Sequence, residues 1–197
     1  MKVGILDYKN CSLYPIYNSV KVHNVGVTVV ENTNDLKNID KLILPGVGAT
    51  NQIMKFLNKK KFIDEIKEFS EMKKSILGIC AGMQILSLNL FENEKCDGLG
   101  FFDANVVQMN KKTSNQSTNI GWYKVETSSS NLSYYFCHSF YLKFKKKENN
   151  FIKGFIKLNE KIPAIIKKKN ILGVQFHPEK SQRNGRDLIS KFLKDEI

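Results

Sequence analysis

No apolar stretch of this chain approaches the roughly 18 residues that a helical membrane span needs, so no association with a membrane is expected. Arginine is almost missing: of 31 basic residues only Arg183 and Arg186 carry a guanidinium. Recognition of phosphates and bases favours that bidentate fork, so the net charge of +12 does not read as a nucleic-acid surface. The lysines run together as Lys59-Lys60-Lys61, Lys145-Lys146-Lys147 and Lys167-Lys168-Lys169, beside expected turns and not interleaved with aromatics. That pattern describes a solvated face, part of which would meet an acidic partner. The four cysteines show no C-x-x-C pairing and no metal-ligand spacing, which argues against a disulfide framework and for a reduced, cytoplasmic setting. Cys11, Cys96 and Cys137 read as structural or incidental, and no metal or cofactor is expected. Met1 to Asp7 enters a strand-like run without a charged leader. Without internal repeats or a long linker, residues 1–197 read as a single domain.

What the chain does have is Gly78-Ile79-Cys80-Ala81-Gly82, a cysteine between two glycines. It follows the apolar run from Ser75 and precedes a helical pattern. This is the layout of a nucleophile elbow, in which a sharp strand-to-helix turn exposes one side chain and small neighbours let the helix close on the strand. A sulfur there sits at a helix N-terminus, a setting that favours the thiolate.

A base is found near the other end, in Gly173-Val174-Gln175-Phe176-His177-Pro178-Glu179. The run from Ile171 to Phe176 reads as a strand, and the proline after His177 ends its ladder and turns the chain outward. Glu179 is placed to accept a hydrogen bond from one imidazole nitrogen and leave the other facing a thiol. Cys80, His177 and Glu179 would then form a triad. A third segment, Leu42-Ile43-Leu44-Pro45-Gly46-Val47-Gly48-Ala49, runs from a short strand into a loop with two glycines. It lacks the lysine and hydroxyl residue of a phosphate loop, whereas backbone amides near Val47 and Ala81 would suit an oxyanion hole.

Alternation of elements gives the fold class. Strand-like runs near 2–7, 27–30, 41–45 and 75–79 are separated by helical patterns at about 12–25 and 49–72, and a further helix is expected at about 81–91. An α/β fold with a central, mostly parallel sheet follows. Beyond residue 100, strand-like runs at 101–109, 122–127, 134–144, 151–158 and 162–166 predict an added antiparallel section laid against the first half. Residues 110–119 read as an exposed loop, and Leu188, Ile189, Phe192 and Leu193 as one face of a closing helix.

In the same chain order, P-G-x-G, G-I-C-x-G-M-Q and F-H-P-E resemble the class I glutamine amidotransferases. Glu92, Gly98-Leu99-Gly100, Gly121-Trp122 and Phe136-Cys137-His138-Ser139-Phe140 are similar to the glutaminase subunit of imidazole glycerol phosphate synthase, over nearly the whole chain. The resemblance implies a three-layer fold and hydrolysis of glutamine through Cys80, His177 and Glu179. It implies oxyanion donors at Val47 and Ala81, and substrate contacts at Gly46, Gly48, Gln84 and Glu92, with backbone groups around His138 and Ser139 taking the carboxylate. It also implies a (β/α)8-barrel cyclase subunit as partner, with Trp122 near the interface. The chain departs from the family where Lys9-Asn10-Cys11-Ser12-Leu13 replaces a glycine-rich G-x-G-N-L, where Asn119-Ile120-Gly121-Trp122-Tyr123 replaces H-M-G-W-N, and where Ala81 replaces leucine. These departures keep open a related paralogue that supplies ammonia for amidination of a surface sugar. A non-catalytic regulatory domain is the third reading, and the triad argues against it.

Overall fold

A computed structural model describes residues 1–9, 12–92, 94–110, 112–145 and 150–196. The expectations for Cys11 and for Lys146-Lys147 therefore lie outside the described residues. Strands β1 (Lys2–Leu6), β2 (Gly26–Val30), β3 (Lys41–Leu44), β4 (Ser75–Ile79) and β13 (Ile171–Val174) form the parallel half of a nine-stranded sheet, in the order β2-β1-β3-β4-β13. Every residue of β3 and β13 is buried, as expected of strands covered on both faces. The two-residue period assigns their side chains to opposite layers. Leu42, Leu44 and Ile76 pack with α2 (Thr50–Lys59) and α3 (Phe62–Glu71), while Ile43 and Leu77 pack with α1 (Tyr14–Lys21) and α5 (Gln182–Leu193).

The sheet continues beyond β13 through antiparallel neighbours β12 (Lys161–Lys168), β11 (Ile152–Lys157), β8 (Asn119–Thr127) and β9 (Asn131–His138). A smaller sheet, ordered β10 (Phe140–Phe144), β7 (Phe102–Gln108), β5 (Ser87–Glu92) and β6 (Glu94–Asp97), packs into the layer of α2 and α3. The antiparallel section thus largely extends the first half edge to edge instead of lying against it.

Four further expectations change. The helix expected at 81–91 is only α4 (Ala81–Gln84), followed by β5. Ser87 and Leu90 are buried while Leu88 and Phe91 are exposed. The stretch at 49–72 is two helices, divided at Lys61, whose φ of 59° breaks the helical path. The run at 134–144 is two strands, which part at Ser139 to join different sheets. Asn119, expected in a loop, opens β8.

Candidate active site

Parallel register brings three chain ends together. Leu44 lies opposite Gly78, and Gly78 opposite Gly173, so the segments leaving β3, β4 and β13 emerge side by side at the carboxyl edge of the sheet. Ligands bind at that edge in open α/β sheets.

At the end of β4 the Cys80 amide donates to the Val174 carbonyl (2.7 Å), and Cys80 adopts φ 47°, ψ −107°. A non-glycine residue at such φ is strained and is held only by its surroundings. The glycines supply those surroundings. A Cβ on Gly78 would stand 2.6 Å from the Gly82 carbonyl oxygen, and one on Gly82 would stand 2.0 Å from that of Leu44. One on Gly46 would meet the Cys80 Cβ at 2.7 Å. Bare backbone at these positions lets the β3 loop, the elbow and α4 close on each other.

Cys80 is 6% exposed, at the base of a cleft of about 260 Å³ lined by Gly46, Gly48, Cys80, Ala81, Gln84, Glu92, Thr118, Cys137, His138, Ser139 and Phe140. The expected substrate residues Gly46, Gly48, Gln84, Glu92, His138 and Ser139 thus share one cavity. Val47 is half-buried between the two glycines. His177 is buried and Glu179 half-buried, and neither lines this cavity.

The His177 amide donates to the Tyr135 carbonyl (2.9 Å), and its Nδ1 lies 2.8 Å from Glu179 Oε1. With Nδ1 committed to the carboxylate, Nε2 is the nitrogen left for the Cys80 side chain. Burial alone would lower the His177 pKa. The neighbouring Cys80 and Glu179 side chains outweigh it and raise the value to about 10, which favours the protonated ring.

Glu92 enters from β5. Its Oε2 accepts from the Thr50 amide (2.7 Å) and hydroxyl (2.8 Å) at the start of α2. Ala49, the residue before that helix, offers no side-chain cap, so the carboxylate serves as one. His138 is buried, with Nδ1 2.9 Å from the Phe140 carbonyl and Nε2 3.2 Å from Asn119 Nδ2. A carbonyl accepts only, so Nδ1 carries the hydrogen and Nε2 accepts from Asn119. Burial, helped by the charge of His177, lowers its pKa to about 4 against the opposing Phe140 bond. Ser139 Oγ pairs with Thr118 Oγ1 at 2.9 Å.

Sequence reasoning passed over Thr118, Thr50 and Gln175. Gln175 is fully buried and its Nε2 lies 3.6 Å from Cys80 Sγ. Its signal was a carboxamide inside an apolar strand run; Thr50 and Thr118 gave none. Cys137, read as incidental, lines the cleft, and its carbonyl lies 3.8 Å from the sulfur. Cys80, Cys96 and Cys137 are free thiols. Among the described residues no acidic, histidine and cysteine cluster could hold a metal ion, and no helix is long and apolar enough to cross a membrane.

The family model described as glutamine amidotransferase class-I matches residues 5–195. The chain is 33% identical over 202 residues to imidazole glycerol phosphate synthase subunit HisH 1 of Campylobacter jejuni (strain RM1221), covering 98% of this chain and 99% of that protein. It is 34% identical over 199 residues to subunit HisH of Caldanaerobacter subterraneus subsp. tengcongensis, covering 96% of each. Among solved structures, one titled as a glutamine amidotransferase superposes with a TM-score of 0.78 at 19% identity, covering 98% of this chain and 97% of that one. PurLQS from Thermotoga maritima gives 0.78 at 16% identity, covering 100% and 99%.

Proposed function

We propose that this chain, which belongs to the class I glutamine amidotransferase family and to its HisH-type branch, is a cytoplasmic glutaminase subunit that hydrolyses glutamine and passes ammonia to a (β/α)8-barrel cyclase making imidazole glycerol phosphate. Residues 1–197 act as one glutaminase domain. The single observation that carries the chemistry is a strained cysteine at the end of β4 beside the end of β13, where His177 Nδ1 is tied to Glu179.

In this reading Cys80 attacks the side-chain amide carbon of glutamine, and backbone amides at Val47 and Ala81 take the charge that develops on the oxygen. His177 gives its proton to the departing nitrogen, so that ammonia leaves and a γ-glutamyl thioester remains. The neutral ring then takes a proton from water, which attacks the thioester and releases glutamate and the Cys80 thiolate. Glu92 anchors the α-ammonium of the substrate. Gln84 and the groups around His138 and Ser139 border the rest of it.

Replacing Cys80 with alanine removes the group that carries the acyl intermediate in this reading while deleting a single buried sulfur. Glutamate release should fall by at least about a thousandfold, by analogy with the loss of a nucleophile elsewhere, with the circular dichroism spectrum unchanged. Turnover retained in Cys80→Ala would reject the mechanism. The sugar-amidination reading rests on Asn119-Ile120-Gly121-Trp122-Tyr123 and Lys9 to Leu13, where the chain departs from the histidine-pathway pattern.

A further inference from the structure

We propose that Gln175 is a positioning residue that stabilises the Cys80 thiolate, an inference that rests on the reading of Cys80 as nucleophile. Its side chain is wholly removed from solvent, where an unpaired carboxamide would cost free energy. It has two partners: Nε2 faces Cys80 Sγ at 3.6 Å, and Oε1 lies 3.2 Å from Gln84 Nε2. Gln84 Nε2 also donates to the Phe140 carbonyl (2.8 Å).

This chain of bonds fixes which way the Gln175 amide points. Gln84 Nε2 has two hydrogens and no lone pair to offer, one hydrogen going to Phe140 and the other to Gln175. Turning the Gln175 amide over would set two donors against each other at Gln84 and a carbonyl oxygen against the sulfur. The donor is therefore held toward Sγ by a residue that itself borders the cleft. The Gln175 backbone is pinned as well, because its amide donates to the Ala164 carbonyl of β12 (2.9 Å).

A hydrogen bond to an ionised acceptor is about twice as strong as one to a neutral acceptor. An N–H directed at sulfur thus favours the thiolate over the thiol. Gln175 touches no reacting carbon and transfers no proton. Its effect is to raise the fraction of Cys80 ready to attack and to keep the sulfur from turning away.

The test is alkylation of the intact chain by iodoacetamide across pH, with Cys80 modification followed by peptide mass spectrometry. In Gln175→Met, which keeps an unbranched side chain without a donor, the rate profile for Cys80 should move to higher pH, and the neutral-pH rate should fall about tenfold. Gln175→Glu keeps an acceptor for Gln84 but loses the donor, and its profile should move in the same direction. It serves where the methionine variant does not fold by circular dichroism. A profile that superposes on wild type in a folded variant would overturn the proposal. If wild-type Cys80 reacts no faster than the exposed Cys137, the nucleophile reading itself fails, and the inference with it. Fast wild-type reaction with unmoved variants sinks the inference alone.

Discussion

Thr50 shows how one side chain sets the quality of a binding group without touching the ligand. Its amide and hydroxyl both hold Glu92 Oε2, so in the proposed reading Oε1 is the oxygen turned to the α-ammonium of glutamine. Thr50→Val removes one of the two bonds and keeps the shape. A hydrogen bond to a charged group contributes roughly 1.5–3 kcal/mol, so the KM for glutamine should rise about tenfold with kcat little changed, and Thr50→Ser should restore it. A fall in kcat at constant KM would contradict this role. His138 gives a second prediction, in pH. Its folded pKa of about 4 lies below the ordinary 6.5, so the unfolded chain takes up a proton first as pH falls. The stability tied to the neutral ring is complete above 6.5 and is lost between there and about 4, amounting to at most about 3 kcal/mol. The melting temperature of His138→Asn, whose carboxamide still donates to Phe140, should depend less on pH over that window; equal slopes would reject the assignment. The positions of Cys80 and His177 at the ends of β4 and β13 were legible in the sequence because glycine spacing around Cys80 and the proline after His177 are local signals. Thr50 was not, since its role exists only once β5 reaches α2.

At the scale of elements, the elbow depends on what α4 lacks. Alanine normally favours a helix over glycine by about 1 kcal/mol, which would make Gly82→Ala stabilising on propensity alone. A Cβ there would lie 2.0 Å from the Leu44 carbonyl oxygen, and backbone cannot step aside as a flexible side chain can. Overpacking of this kind costs about 1–3 kcal/mol or more, so the steric cost prevails. Gly82→Ala should lower the urea midpoint and slow glutamate release together; an unchanged midpoint would show that β3 and α4 can separate. The same region explains the misread helix. Leu86, Leu88, Leu90 and Phe91 fit either a helical or an alternating pattern over so short a stretch. What decides is tertiary: β5 gains β6 on one side and the parallel strand β7 on the other, partners that periodicity cannot reveal. The parallel half was readable because α-helices stand between β1 and β2 and between β3 and β4. The antiparallel half was readable as strands but not as two sheets, because the switch at Ser139 leaves no mark in hydropathy.

For the whole molecule, the cleft opens beside the β8–β9 edge of the large sheet. Asn119 and His138 face each other across that pair next to the cavity, and the register continues with Ile120 opposite Cys137 and Trp122 opposite Tyr135. Ile120 and Trp122 are about half exposed, and the Trp122 ring meets Tyr135 edge to face at 6.1 Å. The Tyr135 carbonyl in turn holds the His177 amide. The proposed barrel subunit, if seated on this face, would bury an aromatic anchor beside the cleft that holds Cys80. Truncating a buried interface tryptophan commonly costs about 2 kcal/mol or more. Trp122→Ala should therefore weaken binding of the proposed barrel partner about thirtyfold or more by titration calorimetry, with the free chain still folded. Glutamine labelled with 15N in its amide then tests delivery: in the complex, product nitrogen should carry the label even with unlabelled ammonium in solution, and the Trp122→Ala complex should admit unlabelled nitrogen. Equal affinity for wild type and variant would place the partner on another face. Dilution of the label in the wild-type complex would mean that ammonia escapes to solvent before it is used.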